Sequence, residues 1–217
     1  MTYAEIGVTT NFSFLRGASH PQEYVRQAAE HGLCAIGVAD RNTLAGVVRA
    51  YSELSNEKLA CKPKLLVGTR LVFVDGTPDI LVYPRDRAAY GKLCRLLSRG
   101  KLKAEKGECI LTLADLLEFS EGQLMVLVPA WRFVPGQIAS TLNSLHMSRA
   151  AGVFLAASFY YRGDDERRPA AGIVIEHVVG GDQRHAHRFR HALQPRQPPL
   201  VVAAIVKTCR QEDACGA

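Results

Sequence analysis

The sequence predicts an α/β protein in which parallel strands carry helices on their outer side, and two observations lead to that prediction. Short apolar runs of strand length alternate along the chain with longer stretches in which apolar residues recur at helical spacing. The connections between these segments are short, which is typical of β-α-β units with right-handed crossovers. A barrel or a barrel-like open sheet therefore fits the chain better than a sandwich. The 217 residues, 47% of them hydrophobic and 22% charged, suffice for one sizeable globular domain.

The first half of the chain gives the clearest β-α-β pattern. Its predicted elements are strands over 5–10, 34–39 and 64–67 and helices over 20–31 and 43–55. Ser19 is a candidate cap of the first helix, and Pro21 suits its first turn. Four apolar residues of the second helix are expected to face the core: Leu44, Val47, Val48 and Tyr51.

The second half continues the alternation after a hairpin. Its predicted elements are strands 70–74 and 79–83 around the turn Asp75-Gly76-Thr77-Pro78, helices over 86–99, 113–118 and 137–147, and strands over 123–128 and 153–157. Thr112 is the expected cap of the short helix. Four residues of the helix over 86–99 are expected to point inward: Tyr90, Leu93, Cys94 and Leu97.

The loop after the first strand lies where α/β folds place their chemistry. Within the stretch 8–19, Phe12 and Phe14 alternate with polar residues, and Arg16 follows. The loop offers hydroxyl and amide groups but no His, Cys, Asp or Glu. It therefore lacks the side chains that most often bind metals or transfer protons.

The composition limits which cellular compartment and which classes of partner are expected. No run of about 18 apolar residues occurs, and the N-terminus lacks the basic and apolar regions of a secretory signal, so we expect a cytoplasmic protein without a membrane partner. The six cysteines are scattered without a CxxC pair, which indicates reduced thiols rather than disulfides or a zinc site. The net charge of +6 permits contact with nucleic acid but does not require it.

The amino-acid composition and the apolar periodicity of the chain change at Pro169. From there the chain is rich in histidine, arginine, glycine and proline, and neither a helical nor a strand period survives over about 180–199. The pair His185 and His187 lacks carboxylate or thiol support, so a metal site is not expected there. We therefore divide the chain into a folded domain, 1–168, and a divergent tail, 169–217.

Four stretches carry a resemblance to a known family: GVTTNFSFLRGASHPQEYV, LCAIGVADRNTLAGVVRAY, LLVGTRLVFVDGTPDILVYPRDRAAYGKLCRLLSRGK and KGECILTLADLL. Over about 3–168 the chain resembles the N-terminal domain of bacterial error-prone DNA polymerases, the damage-tolerance branch of the C-family, whose other members include the replicative alpha subunits. The resemblance implies a domain of the polymerase and histidinol phosphatase (PHP) type, a distorted barrel of about seven strands and helices. Here the barrel is expected to be incomplete at its C-terminal end.

The resemblance also locates a metal site that this chain has lost. Active relatives hold up to three metals with His, Asp and Glu at the strand ends and cleave phosphoesters. The corresponding positions fall on Gly7 and Thr9, on Asp40 and Arg41, and, after the glycine of the next strand, on Arg70. Only Asp40 is a ligand, and arginine cannot bind a metal. We therefore expect no catalytic residue, metal or other cofactor here; Mg²⁺ would belong to a polymerase palm.

The surviving carboxylate has a structural interpretation. Asp40 could neutralise Arg41 or Arg70 and so hold the strand ends together where metal once did. This hypothesis predicts that loss of the Asp40 carboxylate destabilises the domain.

A basic segment invites a nucleic-acid hypothesis. Phosphate contacts require only accessible cations on one face, and the candidates are Lys92, Arg95, Arg99, Lys101, Lys103 and Lys106. The alternative is an ordinary solvated helix face and loop, and the sequence leaves both open.

The tail departs from the family pattern in a specific way. The stretch 180–186 can be encoded so that a shift of one nucleotide reads Val-Ala-Thr-Asn-Asp-Met, which is the strand expected there. We hypothesise that about 169–196 is translated out of frame in a shifted or decayed gene; a disordered tail is the other interpretation.

Three functions are therefore in competition. The first is the N-terminal part of a polymerase for replication past DNA lesions, whose partners would be the remainder of the polymerase, DNA, and damage-tolerance proteins including a sliding clamp. On this hypothesis the chain alone has no polymerase activity, because the catalytic carboxylates belong to the palm. The second is a stand-alone metal-dependent phosphoesterase of the PHP type. The third is a non-enzymatic interaction domain.

Overall fold

The computed structural model describes residues 3–57, 59, 61–129 and 134–156. These residues form six strands and five helices. In chain order they are β1 (Ala4–Val8), α1 (Pro21–Glu30), β2 (Ala35–Arg41), α2 (Ala45–Leu54), β3 (Lys64–Leu71), β4 (Asp79–Pro84), α3 (Arg87–Leu102), α4 (Leu113–Glu118), β5 (Gln123–Val128), α5 (Pro135–His146) and β6 (Gly152–Leu155).

The strands form one sheet in the order β1-β2-β3-β4-β5-β6, curled into a half-barrel. The pairs β1–β2, β2–β3 and β5–β6 are parallel, whereas β4 runs antiparallel to both of its neighbours. The predicted α/β class and the incomplete barrel are confirmed. The uniformly parallel sheet is wrong at β4 alone, where the hairpin that the sequence also predicts reverses the chain.

The third strand differs from its prediction. The segments expected at 64–67 and 70–74 are one continuous strand, and the chain leaves the sheet after Leu71, which pairs with Ile80. Gly68 does not interrupt this strand, because it pairs with Ala39 of β2 and leaves room for the ring of Tyr83. A glycine in a strand often marks such a close approach.

The largest apolar cluster lies between the second half of the sheet and α3, α4 and α5. On α3, Leu93 and Leu97 are buried as predicted, and Leu96 joins them. Tyr90, which was expected to point inward, is instead 40% exposed. At the other end of α3 the packing is close, since a side chain at Gly100 would meet Leu111 at 2.7 Å.

The residues of α2 that pack most closely are small ones. Gly46 and Ala50 are buried, whereas Val48 and Tyr51 are 70% and 67% exposed, so the predicted face was wrong for both. Ala50 packs with Val25 of α1 and Val38 of β2. Leu44 and Val47 are half-buried and pack against the apolar clusters, so the prediction is confirmed for these two residues.

The first helix begins one residue later than its predicted cap implies. The N-cap is His20 instead of Ser19, and the His20 amide donates to the carboxylate of Glu23 at 2.8 Å. The Ser19 carbonyl instead accepts from the amide of Asn11, which closes the preceding loop.

In the described residues, none of the helices combines the length and the apolar character that crossing a membrane would need. The domain boundary at residue 168 and the tail 169–217 lie outside the described residues.

Candidate functional site at the strand ends

The carboxyl ends of β1, β2 and β3 meet at one edge of the sheet, where the sequence places the lost metal site. The register sets Asp40 opposite Thr69 and Arg41 opposite Arg70. The loop that follows β1 approaches the same edge, because its side chains hydrogen-bond to Asp40. The strand ends therefore bring the predicted positions together, although their chemistry differs from that of a metal site.

Asp40 is fully buried and accepts three hydrogen bonds from the loop. Its Oδ1 accepts from the Thr10 amide at 2.8 Å and from the Ser13 hydroxyl at 2.7 Å, and its Oδ2 accepts from the Thr10 hydroxyl at 2.8 Å. The hydroxyl of Thr69 donates to the Asp40 carbonyl at 2.7 Å. These bonds join β2 to the loop after β1 and to β3, and we call them the Asp40 network.

The ion-pair hypothesis for Asp40 is wrong. Arg70 points to Asp79, with its Nη1 3.7 Å from the Asp79 Oδ2. The side chain of Arg41 is exposed, and its backbone amide donates to the Ser13 hydroxyl at 2.9 Å. A buried carboxylate needs hydrogen-bond donors or an opposite charge. For Asp40, hydroxyl and amide donors meet this need, and no counterion takes part among the described residues.

The interior of the half-barrel behind this edge is filled by the ring of Tyr83. Its hydroxyl accepts from the Gly7 amide at 3.0 Å. A side chain at Gly68 would meet the ring at 2.3 Å, and one at Gly37 would meet it at 3.3 Å. Burial raises the pKa of Tyr83, so the phenol stays neutral. Glycines at these positions therefore make space for a neutral aromatic ring.

The residues at this edge do not fit a metal cluster. Both oxygens of Asp40 are already engaged, and a side chain at Gly46 would lie 2.6 Å from its Oδ2. The other positions offer Thr9, which is a weak ligand, and two arginines. Among the residues that the structure describes, no three His, Cys, Asp or Glu side chains are grouped to hold a metal. We derive no metal-dependent step for this chain.

The loop over 10–19 presents features that the sequence analysis did not assign a role. Phe14 and Leu15 at its tip are 85% and 87% exposed. Phe12 lies beneath the Arg49 guanidinium, whose carbon is 5.4 Å from the ring centre. The alternation of Phe12 and Phe14 with Ser13 was the available signal, because Ser13 points inward to Asp40 and its neighbours point away.

The basic segment on α3 is largely occupied by acidic partners. Lys92 pairs with Glu121, Arg99 with Glu118, and the Lys103 ammonium lies 2.8 Å from Asp115 Oδ1. The cations hold the pKa of each of these carboxyls below its usual range. Three exposed cations are without an acidic partner among the described residues: Arg95, Lys101 and Lys106. A phosphate contact by this segment stays a prediction, and these three carry it best.

Comparison with curated proteins finds close relatives that are much longer. The chain is 58% identical over 198 residues to the error-prone DNA polymerase of Rhodopseudomonas palustris (strain BisB5), covering 88% of this chain and 18% of that protein. It is 65% identical over 173 residues to the error-prone DNA polymerase of Bradyrhizobium diazoefficiens, covering 77% of this chain and 15% of that protein. The chain thus spans less than a fifth of each of these two relatives.

Comparison with solved structures supports the fold. A crystal structure of a candidate metal-dependent phosphoesterase from Bifidobacterium adolescentis superposes with a TM-score of 0.54 at 14% identity, covering 76% of this chain and 81% of that one. At this identity the likeness concerns the fold alone. Residues 6–162, most of the chain, match the model of the PHP domain. Together with the half-barrel and the relatives, this match shows that the chain belongs to the PHP domain family.

Proposed function

We propose that this chain is the PHP-type region of an error-prone DNA polymerase and has a structural, non-catalytic role in copying past DNA lesions. Two relatives of that name share 58% and 65% identity with it, which supports the assignment to this branch. The polymerase reaction, and the Mg²⁺ that it requires, would belong to carboxylates of a palm elsewhere in the longer polypeptide.

The observation that carries the structural role is the Asp40 network. A cluster of metals at strand ends both catalyses hydrolysis and ties the strands together. In this chain Thr10, Ser13 and Thr69 perform the second task through direct hydrogen bonds with Asp40. The strand ends are therefore joined by hydrogen bonds, with one buried carboxylate where metal-dependent hydrolysis would need several ligands, which supports a scaffold role.

The partners in this proposal follow from the polymerase context. The remainder of the polymerase would pack against the domain, and DNA would pass near it. A sliding clamp and other damage-tolerance proteins would act on the assembled enzyme in the cytoplasm. The domain itself is proposed to comprise residues 1–168.

A chimera tests the proposal. Residues 1–168 of this chain replace the matching region of the Bradyrhizobium diazoefficiens polymerase, and primer extension past a template lesion is measured. We expect the chimera to keep most of the parent's extension activity. A second chimera with Asp40→Ala should lose activity together with thermal stability. A chimera that folds as well as the parent but does not extend primers would contradict an interchangeable structural role.

A further inference from the structure

The loop after β1 exposes large apolar side chains that a soluble surface normally hides. Phe14 and Leu15 are among the most exposed apolar residues of the described part, at 85% and 87%, and Phe12 is 36% exposed. Clustered exposed aromatic residues commonly mark a binding surface. The loop lies at the edge of the sheet where the lost metal site would be, so it occupies the position at which this fold meets its ligands.

Hydrogen bonds of Ser13 fix the backbone of this loop next to its tip. The Ser13 hydroxyl donates to Asp40 and accepts from the Arg41 amide, while the amides of Arg16 and Gly17 donate to the Ser13 carbonyl. A side chain at Gly17 would lie 2.4 Å from the Thr10 carbonyl oxygen, so the chain folds tightly back on itself. The backbone that carries the aromatic rings is therefore ordered, so that binding costs little backbone conformational freedom.

Three arginines without an acidic partner among the described residues belong to or adjoin this loop. Arg49 lies over Phe12, Arg41 is joined through its amide to Ser13, and Arg16 follows the tip directly. These three arginines are exposed and have no ion pair among the described residues.

Three acidic residues in this part of the fold have other contacts or are buried. The Glu23 carboxylate accepts from the His20 amide, Asp79 pairs with Arg70, and Asp40 is buried. The tip thus combines stacking rings with free guanidinium groups, and we call Phe12, Phe14, Arg16, Arg41 and Arg49 the aromatic–arginine surface.

We propose that the aromatic–arginine surface binds single-stranded DNA. Unpaired bases would stack on Phe14 and Phe12, and the arginines would contact the phosphates, which is the combination that single-strand binders use. A duplex cannot offer its base faces in this way, so the surface should prefer single strands. The choice of DNA rests on the proposed function, whereas the site rests on the exposed rings and unpaired cations.

The test measures binding of a fluorescein-labelled oligo-deoxythymidine of about 16 nucleotides, near the upper end of common site sizes, to the full chain by fluorescence anisotropy. Phe14→Ala should weaken binding about fivefold to a hundredfold, the effect of losing one stacked base. Leu102→Ala is the matched control, because Leu102 is also 87% exposed but lies at the end of α3. Circular dichroism melts establish that both variants fold.

The salt dependence separates this surface from α3. Arg16→Gln with Arg49→Gln should lower the slope of log K against log salt concentration by about 0.7 for each lost phosphate contact. Lys92→Gln should leave the slope unchanged, since Lys92 is paired with Glu121. A slope that falls instead with Lys101→Gln and Lys106→Gln would overturn the proposal in favour of the basic segment over 92–106.

Other outcomes also overturn the proposal. They are an unmodified chain that does not bind the oligonucleotide, a duplex bound as tightly as the single strand, and Phe14→Ala that binds like the unmodified chain. Any of these results would indicate that the exposed tip binds an apolar surface of a protein instead of DNA. The primer-extension chimera keeps Phe14 and tests only the structural role. Failure of the oligonucleotide binding test therefore counts against this proposal alone, whereas failure of the chimera counts against the structural role.

Discussion

The Asp40 carboxylate is buried with three donors directed at it, and its removal would leave the Thr10 and Ser13 groups without an acceptor. We expect Asp40→Ala to reduce the free energy of unfolding by about 3 kcal/mol or more, since hydrogen bonds to charged groups contribute about 1.5–3 kcal/mol each. Urea denaturation of the full chain measures the change.

Two further variants separate this network from the ion pair first hypothesised. Thr10→Val should cost about 1–2 kcal/mol because it removes one hydroxyl donor of the network. Arg41→Gln should change stability by less than about 0.5 kcal/mol because its side chain is exposed. A large loss of stability in Arg41→Gln with none in Thr10→Val would restore the ion-pair interpretation.

The packing of Tyr83 against Gly68 gives a second prediction at this scale. Gly68→Ala forces a methyl group against the ring at 2.3 Å and should destabilise the chain by about 1–3 kcal/mol. Adding Tyr83→Leu should cost less than the sum of the two single changes, because the clash with the ring disappears and only the approach to the Val82 carbonyl oxygen, at 2.9 Å, remains. Thermal melts of the four proteins give the coupling.

Gly91→Ala is the control for this cycle. It lies in α3 with open space around it and should be neutral or stabilising. Strict additivity of the Gly68 and Tyr83 changes would contradict the close packing.

The sequence predicted which residues lie at the site, but it did not predict which groups they contact. Asp40 stands out as the one ligand type left at the end of a buried strand. Its partners are hydroxyls of Thr10 and Ser13, and such hydroxyls are too common in loops for the sequence to single them out. Only the turn of the loop decides that Ser13 faces the carboxylate while Phe14 faces solvent.

Among the helices, the start of α4 carries a pH-dependent contact. Lys103 and the Thr112 cap hold the pKa of Asp115 below its ordinary value. A lowered folded pKa stabilises the protein above the unfolded value, about 3.9, and this stabilisation is lost as the pH falls through the folded pKa. Asp115→Asn should therefore be less stable than the unmodified chain at neutral pH, and the gap should close in acid.

Urea denaturation at neutral pH and at about pH 3, below the unfolded pKa, measures that gap. Glu105→Gln serves as the control, because Glu105 is exposed and lies in the connection between α3 and α4. A gap between Asp115→Asn and the unmodified chain that stays constant with pH would contradict the contact.

Most helices and strands could be predicted, but some of their faces could not. Apolar spacing located α1, α2 and α3 because the periodicity is a property of the local sequence. On α2 it placed Leu44 and Val47 correctly but was wrong for Val48 and Tyr51, since the small residues Gly46 and Ala50 are the buried ones. The choice of face belongs to tertiary packing, which periodicity does not encode.

For the whole molecule, the altered strand ends predict a lack of hydrolysis. The full chain should not cleave p-nitrophenyl phosphate in the presence of Mn²⁺ or Zn²⁺, because the remaining carboxylate is already fully bonded. An active PHP phosphoesterase assayed in parallel shows that the conditions suffice. Metal-dependent turnover that Asp40→Asn abolishes would favour the stand-alone phosphoesterase.

The tail is also a question for the whole chain. If about 169–196 is translated out of frame, the coding DNA from the codon for Arg168 onward should restore Val-Ala-Thr-Asn-Asp-Met after a shift of one nucleotide. Sequencing that DNA is the measurement. A frame that does not yield this strand in any register would contradict the hypothesis and leave the tail as a divergent segment of its own.

The Asp40 network has a consequence for how the domain matures in the cell. A fold whose strand ends are tied by bound ions can mature only where those ions are supplied, and chelators or competing metals can undo it. In this chain the strand ends are joined by hydrogen bonds between groups of the polypeptide itself. The strand ends can therefore be joined without a supply of metal ions.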